Sequence, residues 1–223
     1  MKQHIVFDLD GTLVDSLPGI AEGLNRSLRH LGLPEHSPAA IRKMIGSGAA
    51  NLCAKALGYA NAQEAPAKAL EALHGKFRQE YPTCWQGAYT PIYAGIADLL
   101  AKLSAAGANM AVLSNKPHEV TEPMVRSLFP HIPFSHIMGH TGRFPRKPAP
   151  DALLHIAQCW GVKAQELILV GDSLYDARTA ANAGCKTALV AWGYAEIAEL
   201  AAWPAPLFGT ADELGHYLLP PQN

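Results

Sequence analysis

Short apolar runs alternate along the chain with segments whose apolar residues recur at helical spacing. His4 to Phe7, Met110 to Leu113 and Leu167 to Val170 are brief and mostly branched, as strands buried on both faces should be, and Thr187 to Val190 is a weaker fourth. Between them, Ile96, Leu99, Leu100 and Leu103 precede Gly107, and Leu153, Ile156, Ala157 and Trp160 precede Gly161. Each glycine stands where a helix stop belongs. From Leu174 to Ala183, Ala177, Ala180 and Ala181 share a face ahead of Gly184, which lets a helix lie close to a sheet. Strand and helix in alternation predict an α/β fold, a Rossmann-like parallel sheet with helices on both faces.

Residues 15 to 87 break the alternation. Ile20, Leu24, Leu28 and Leu31, then Leu70, Leu73, Phe77 and Tyr81, repeat at helical spacing with no strand between them. This predicts an all-helical cap domain over 15–87, inserted after the first strand of a core made from 1–14 and 88–223. Pro82 to Pro91, with Gly87, reads as the returning linker.

Composition narrows the function classes. The 223 residues are 49% hydrophobic, enough for a sizeable core. Eighteen basic residues against 19 acidic give no field that would gather nucleic acid or an anionic membrane. No run approaches the roughly 20 apolar residues of a membrane span, and the N-terminus lacks the apolar stretch and cleavage site of a signal peptide. Cys53, Cys84, Cys159 and Cys185 form no CxxC pair, so they read as buried free thiols. A cytoplasmic protein acting on small molecules is expected.

The chemistry gathers where apolar runs end. Asp8 and Asp10 follow the first, and alternate residues of an extended chain point the same way, so both carboxylates can face one cavity while Gly11 turns the chain away. Ser114 and Asn115 follow the second. Asp172 and Asp176 follow the third, with Asp176 placed in the first turn of the next helix, where capping is an equally simple reading. Carboxylates brought together repel unless a cation is present, and an all-oxygen set suits Mg²⁺ better than zinc. Lys147 stands in a stiff, basic loop, Arg143 to Pro150, able to offset the charge of a phosphate beside Asp8.

These segments resemble the haloacid dehalogenase superfamily, in particular its phosphatases with a helical cap after the first strand. Asp8 to Thr12 match the DxDG[TV] motif, Ser114 the Ser or Thr ending the second strand, Lys147 the family lysine, and Gly171 to Asp176 the GDxxxD motif. The resemblance implies that Asp8 is the nucleophile and forms an aspartyl-phosphate, and that Asp10 protonates the leaving alcohol and then activates water. It implies that Ser114, Lys147 and the N–H groups of Gly11 and Thr12 hold the phosphoryl oxygens. Asp8 and Asp172, with the backbone carbonyl of Asp10, would bind Mg²⁺, and Asp176 would orient metal-bound water. Family dehalogenases lack the second acid, which leaves phosphatases, hexose-phosphate mutases, pyrophosphatases and nucleotidases.

Ser114-Asn115-Lys116-Pro117 and Ile45-Gly46-Ser47-Gly48 resemble the phosphoglycolate phosphatases of that superfamily. The resemblance implies a small phosphate ester as partner. Arg42, Lys116 and Asn115 would face it, with the backbone of Gly46 and Gly48, and the chain would act as a monomer or homodimer.

Overall fold

The computed structural model describes residues 2–219. The chain divides into two compact units, Met1–Val14 with Ile92–Asn223, and Asp15–Pro91.

The first unit is built on one parallel sheet. Its strands are β1 (His4–Phe7), β2 (Asn109–Pro117), β3 (Phe134–His140), β4 (Leu167–Gly171), β5 (Lys186–Val190) and β6 (Leu207–Phe208), in the order β3-β2-β1-β4-β5-β6. Its helices are α5 (Ile96–Ala105), α6 (His118–Leu128), α7 (Asp151–Trp160), α8 (Leu174–Ala183), α9 (Ile197–Ala201) and α10 (Ala211–Leu218). The four helices that come before α5 in the chain belong to the second unit.

Ile5, Val6 and Phe7 are all fully buried, so β1 is covered on both faces, and Val6 packs with Leu113, Leu153, Ile156 and Leu169 in one continuous core. Strand β1 lies between β2 and β4, with Val6 level with Ala111 on one side and Leu169 on the other. The chain leaves β1 toward β2 and later returns to β4 on the opposite side. That reversal of strand order opens a crevice at the C-terminal ends of β1 and β4, where open α/β sheets bind their ligands.

Four of the six strands carry the expected apolar runs. Strand β3 was not anticipated because it is an edge-side strand, half-buried along most of its length, whose sequence Phe-Ser-His-Ile-Met-Gly-His lacks a continuous apolar run. Strand β6 has only two residues. Strand β2 runs beyond the expected Leu113 to Pro117, so Ser114, Asn115 and Lys116 belong to its last turns of backbone rather than to a loop after it. Helices α7 and α8 stop at Gly161 and Gly184, both in the left-handed conformation.

The second unit contains α1 (Leu17–His30), α2 (Pro38–Arg42), α3 (Ala49–Ala56) and α4 (Ala67–Cys84). Ile20, Leu24 and Leu28 on α1 and Leu73, Phe77 and Tyr81 on α4 are buried, and the Phe77 and Tyr81 rings stack at 5.0 Å. Leu31, expected on the apolar face, is instead the residue closing α1 and is exposed. The expected linker start at Pro82 is also corrected: α4 continues through Pro82 to Cys84. A proline removes one backbone donor from a helix, and burial of Tyr81 and Cys84 on either side offsets that loss. Of the four thiols, Cys53 and Cys84 are buried, but Cys159 is exposed, contrary to expectation. Burial pushes the Cys53 thiol up to about 12.

Candidate active site at the strand ends

The four anticipated segments meet beyond β1, β2 and β4. Asp8 follows β1 directly, and its backbone N–H donates to Val170 O of β4 at 2.8 Å, which continues the sheet one residue further. At Gly11, φ is +87°, the left-handed conformation that glycine adopts without penalty. The chain then doubles back: Leu9 O accepts from the N–H groups of Thr12, Leu13 and Val14. This tight turn leaves Asp8 and Asp10 at the mouth of the sheet.

Lys147 is the centre of the arrangement. Its Nζ lies 2.7 Å from Asp8 Oδ1 and 2.6 Å from Asp176 Oδ1, with all three residues buried. The loop carrying it is tied to β2 by a pair of hydrogen bonds: Lys147 N–H donates to Asn115 Oδ1 at 2.8 Å, and Asn115 Nδ2 donates to Lys147 O at 3.1 Å. Asn115, expected to face substrate, therefore serves here to set the position of the lysine. Ser114 is buried beside it, its Oγ accepting from Lys116 N–H at 3.2 Å.

Carboxylate oxygens of Asp8, Asp172 and Asp176 all fall within 4.8 Å of one another. Burial pushes Asp8 up to about 7; the Lys147 ammonium opposes that shift and the Asp176 charge reinforces it. Asp172 is likewise raised well above the usual carboxylate range, first by burial and then by the Asp8 and Asp176 charges. For Lys147, burial acts to lower the pKa, but Asp176 and Asp8 outweigh it and the net shift is upward. One buried ammonium among three carboxylates leaves negative charge uncompensated, and an all-oxygen donor set of this kind fits a hard divalent cation such as Mg²⁺.

The three acids are not equivalent. Asp176 has both oxygens engaged, Oδ1 by Lys147 and Oδ2 by the Ser173 hydroxyl at 2.6 Å. Ser173 also caps α8 by accepting from Asp176 N–H. Asp8 directs one oxygen at Lys147. Asp172 Oδ2 accepts from Tyr194 N–H at 2.6 Å, and Oδ1 lies 3.4 Å from the Thr12 hydroxyl. Direct ligation is thus open to Asp8 and Asp172 more readily than to Asp176.

Asp10 lies beside this cluster in a different pairing. Lys116 Nζ contacts both of its carboxylate oxygens, at 2.7 and 2.8 Å. Lys116 was expected to meet a substrate carboxylate; here it holds Asp10.

The loop after β5 escaped the sequence reading. Tyr194 N–H fixes Asp172, Trp192 Nε1 donates to Thr12 O at 3.1 Å, and a Cβ placed on Gly193 would strike Asp172 Cβ, Asp172 Oδ2 and Gly11 O. The available signal was positional, since this loop follows a strand of the same parallel sheet. Arg42, Gly46 and Gly48 lie in the other unit, Arg42 ending α2 and Gly48 opening α3. Gly46 and Gly48 both have positive φ.

Comparison with known proteins agrees with this architecture. The family described as haloacid dehalogenase-like hydrolase matches residues 5–190. A phosphoglycolate phosphatase of Chromobacterium violaceum is 36% identical over 198 residues, covering 89% of each chain. One from Rhodospirillum rubrum is 33% identical over the full length of this chain and 93% of its own. The crystal structure of a candidate phosphoglycolate phosphatase from Lactobacillus delbrueckii superposes with a TM-score of 0.90 at 27% identity, over 98% of this chain and 99% of that one. The chain belongs to the haloacid dehalogenase-like hydrolases, as one of their phosphatases.

Proposed function

We propose that this protein hydrolyses small phosphomonoesters through a covalent aspartyl-phosphate, with phosphoglycolate as the favoured substrate and Mg²⁺ as the cofactor. The observation that carries this reading is the Lys147 ammonium held between Asp8 and Asp176, with Asp172 alongside. An Asp8 oxygen attacks phosphorus, the bond from phosphorus to the ester oxygen breaks, and Asp10 gives its proton to the departing alkoxide. Asp10 then takes a proton from water as that water attacks phosphorus, which releases phosphate and restores Asp8.

Lys116 keeps Asp10 aimed, and Ser114, Lys147 and the backbone N–H groups of Gly11 and Thr12 receive the phosphoryl oxygens. A bound Mg²⁺, held by Asp8, Asp172 and the Asp10 carbonyl with Asp176 orienting its water, would offset charge on the transferring group. The Asp15–Pro91 unit is assigned the role of a cap, contributing Arg42, Gly46 and Gly48 to substrate binding; the resemblance of the Ile45 to Gly48 turn supports this assignment.

Support for phosphoglycolate comes from the names of relatives 33–36% identical to this chain. No helix among the described residues is long and apolar enough to cross a membrane. A cytoplasmic location and a monomeric or homodimeric state are part of the same proposal.

A panel of phosphoglycolate, sugar phosphates, nucleotides and pyrophosphate tests the reading. Mg²⁺-dependent turnover is expected, highest kcat/KM on phosphoglycolate, with a loss of at least about 1000-fold in Asp8→Asn. Turnover that survives Asp8→Asn or EDTA overturns the mechanism, and a sugar bisphosphate converted to an isomer overturns the hydrolase.

A further inference from the structure

Beside the acid cluster, the first unit contains a second, differently charged cavity. It lies between the C-terminal halves of β2 and β3, the loop from Thr141 to Ala149 and the start of α7, and its volume is ≈ 280 Å³. None of Asp8, Asp10, Asp172 or Asp176 lines it, and neither does any other carboxylate. Its outer polar walls are basic: His136 and His140 from β3, His155 from α7, and Arg143 and Arg146 from the loop; its inner wall is shared with the catalytic centre through Ser114 and Lys147. A fourth imidazole, His118, is already engaged, with Glu122 at one nitrogen and the Gly139 N–H at the other.

Neither arginine has a carboxylate partner among the described residues. The Arg143 guanidinium lies over the Phe144 ring at 5.0 Å, and Arg146 is lowered from its ordinary pKa by burial alone. The imidazoles register the same field. His140 is lowered by burial and then by Arg146, against an opposing pull from Glu119; His136 is lowered by burial and then by His155. Two guanidinium groups and three imidazoles face one cavity that no carboxylate lines, and the field they set up there favours an anion.

The shape favours a compact oxyanion. Two guanidinium forks can each present paired N–H donors, and neutral imidazoles add one donor each. The volume is just below the range of drug-sized ligand pockets, roughly 300 to 1,000 Å³, which suits a small ion better than a larger ligand. One wall is the Asn115 side chain, whose two hydrogen bonds fix the backbone of Lys147. We propose that this cavity is a second anion site, adjoining the acid-bearing centre on the far side of Ser114 and Lys147, which takes a small oxyanion of the phosphate class and steadies the loop that carries Lys147. Nothing in the inference requires turnover, so it stands or falls independently of the proposed hydrolysis.

The test is a titration of the metal-free protein with inorganic phosphate in EDTA, where the four acids repel phosphate from the catalytic centre. Binding is followed by NMR of the imidazoles and of the Asn115 side-chain amide, and by calorimetry. The resonances of His136, His140, His155 and Asn115 should move together. The double variant Arg143→Gln/Arg146→Gln should weaken phosphate binding by about tenfold or more, the loss of charge-assisted bonds to two exposed rim residues. Unchanged affinity in the double variant overturns the site. So does a phosphate response confined to Thr12 and Tyr194, which flank Asp172.

Discussion

At the scale of single residues, position rather than acidity separates the carboxylates. Asp8, Asp172 and Asp176 share one buried space, yet Asp176 is saturated by Lys147 and Ser173 while Asp172 is held, among the described residues, by Tyr194 N–H and a long contact from Thr12. The geometry of Asp172 therefore depends on the backbone of the loop after β5. Gly193 is the sensitive point, because a methyl group there meets Asp172 itself and the Gly11 carbonyl, and the latter belongs to the turn that exposes Asp8 and Asp10. Gly193→Ala should displace Asp172 by a fraction of an ångström to an ångström, for a loss of about 100-fold in kcat with a weakened response to Mg²⁺. Steady-state kinetics across a Mg²⁺ titration reads both quantities. Wild-type values in that variant would show that Asp172 is not held by this contact.

Within elements, the same residue type has opposite meanings in two helices of the second unit. Gly19 on α1 sits where a Cβ would approach Cys84 O to 2.7 Å and Trp85 Cα to 3.1 Å, both backbone atoms that cannot swing aside. Gly75 on α4 is exposed, with nothing within 4 Å of the same position. Gly75→Ala should stabilise by about 0.5–1 kcal/mol through lower chain entropy in the unfolded state, whereas Gly19→Ala should destabilise by about 1–3 kcal/mol through overpacking. Denaturant unfolding of both variants measures the two signs, and a shared sign would refute the packing argument.

Legibility from sequence also divides by element. Strands β1, β2 and β4 are readable because central strands of a parallel sheet are apolar throughout, and each delivers its chemistry at its C-terminal end. Strand β3 is half-buried and carries histidines where an interior strand carries valines, so its pattern resembles a loop. Asp8, Lys147 and Asp172 were legible as motif positions. The partner of Lys116 was not, because a salt bridge between residues 106 positions apart in sequence is a product of the fold alone. The Tyr194 contact to Asp172 uses a backbone N–H, which carries no sequence signature at all.

For the molecule as a whole, the clustered acids tie folding stability to pH and to metal. Asp8 is pushed up to about 7 from an unfolded value near 3.8, and Asp172 is raised as well. A carboxyl whose pKa is higher in the folded state favours folding while both states are protonated, and that contribution is fully present below about pH 4. It is lost progressively as pH rises toward 7, where the folded protein must accept buried charges that the unfolded chain carries in water. Lys147 is raised from an already alkaline value, so its own contribution does not change across this window. Metal binding needs the ionised carboxylates, so added Mg²⁺ should relieve at pH 8 a repulsion that protonation has already relieved at pH 5. At a Mg²⁺ concentration about 100 times its Kd, the melting temperature should rise by about 5–10 °C at pH 8 and by much less at pH 5. Scanning calorimetry at the two pH values, with Ca²⁺-free buffers and an EDTA baseline, measures the difference. Equal increments at both pH values would mean that the cation binds somewhere other than the Asp8, Asp172 and Asp176 cluster. In Asp172→Asn, where one buried charge is gone, the metal-free protein should melt higher than wild type at pH 8 and lose most of its Mg²⁺ increment, because the repulsion and the ligand are the same group.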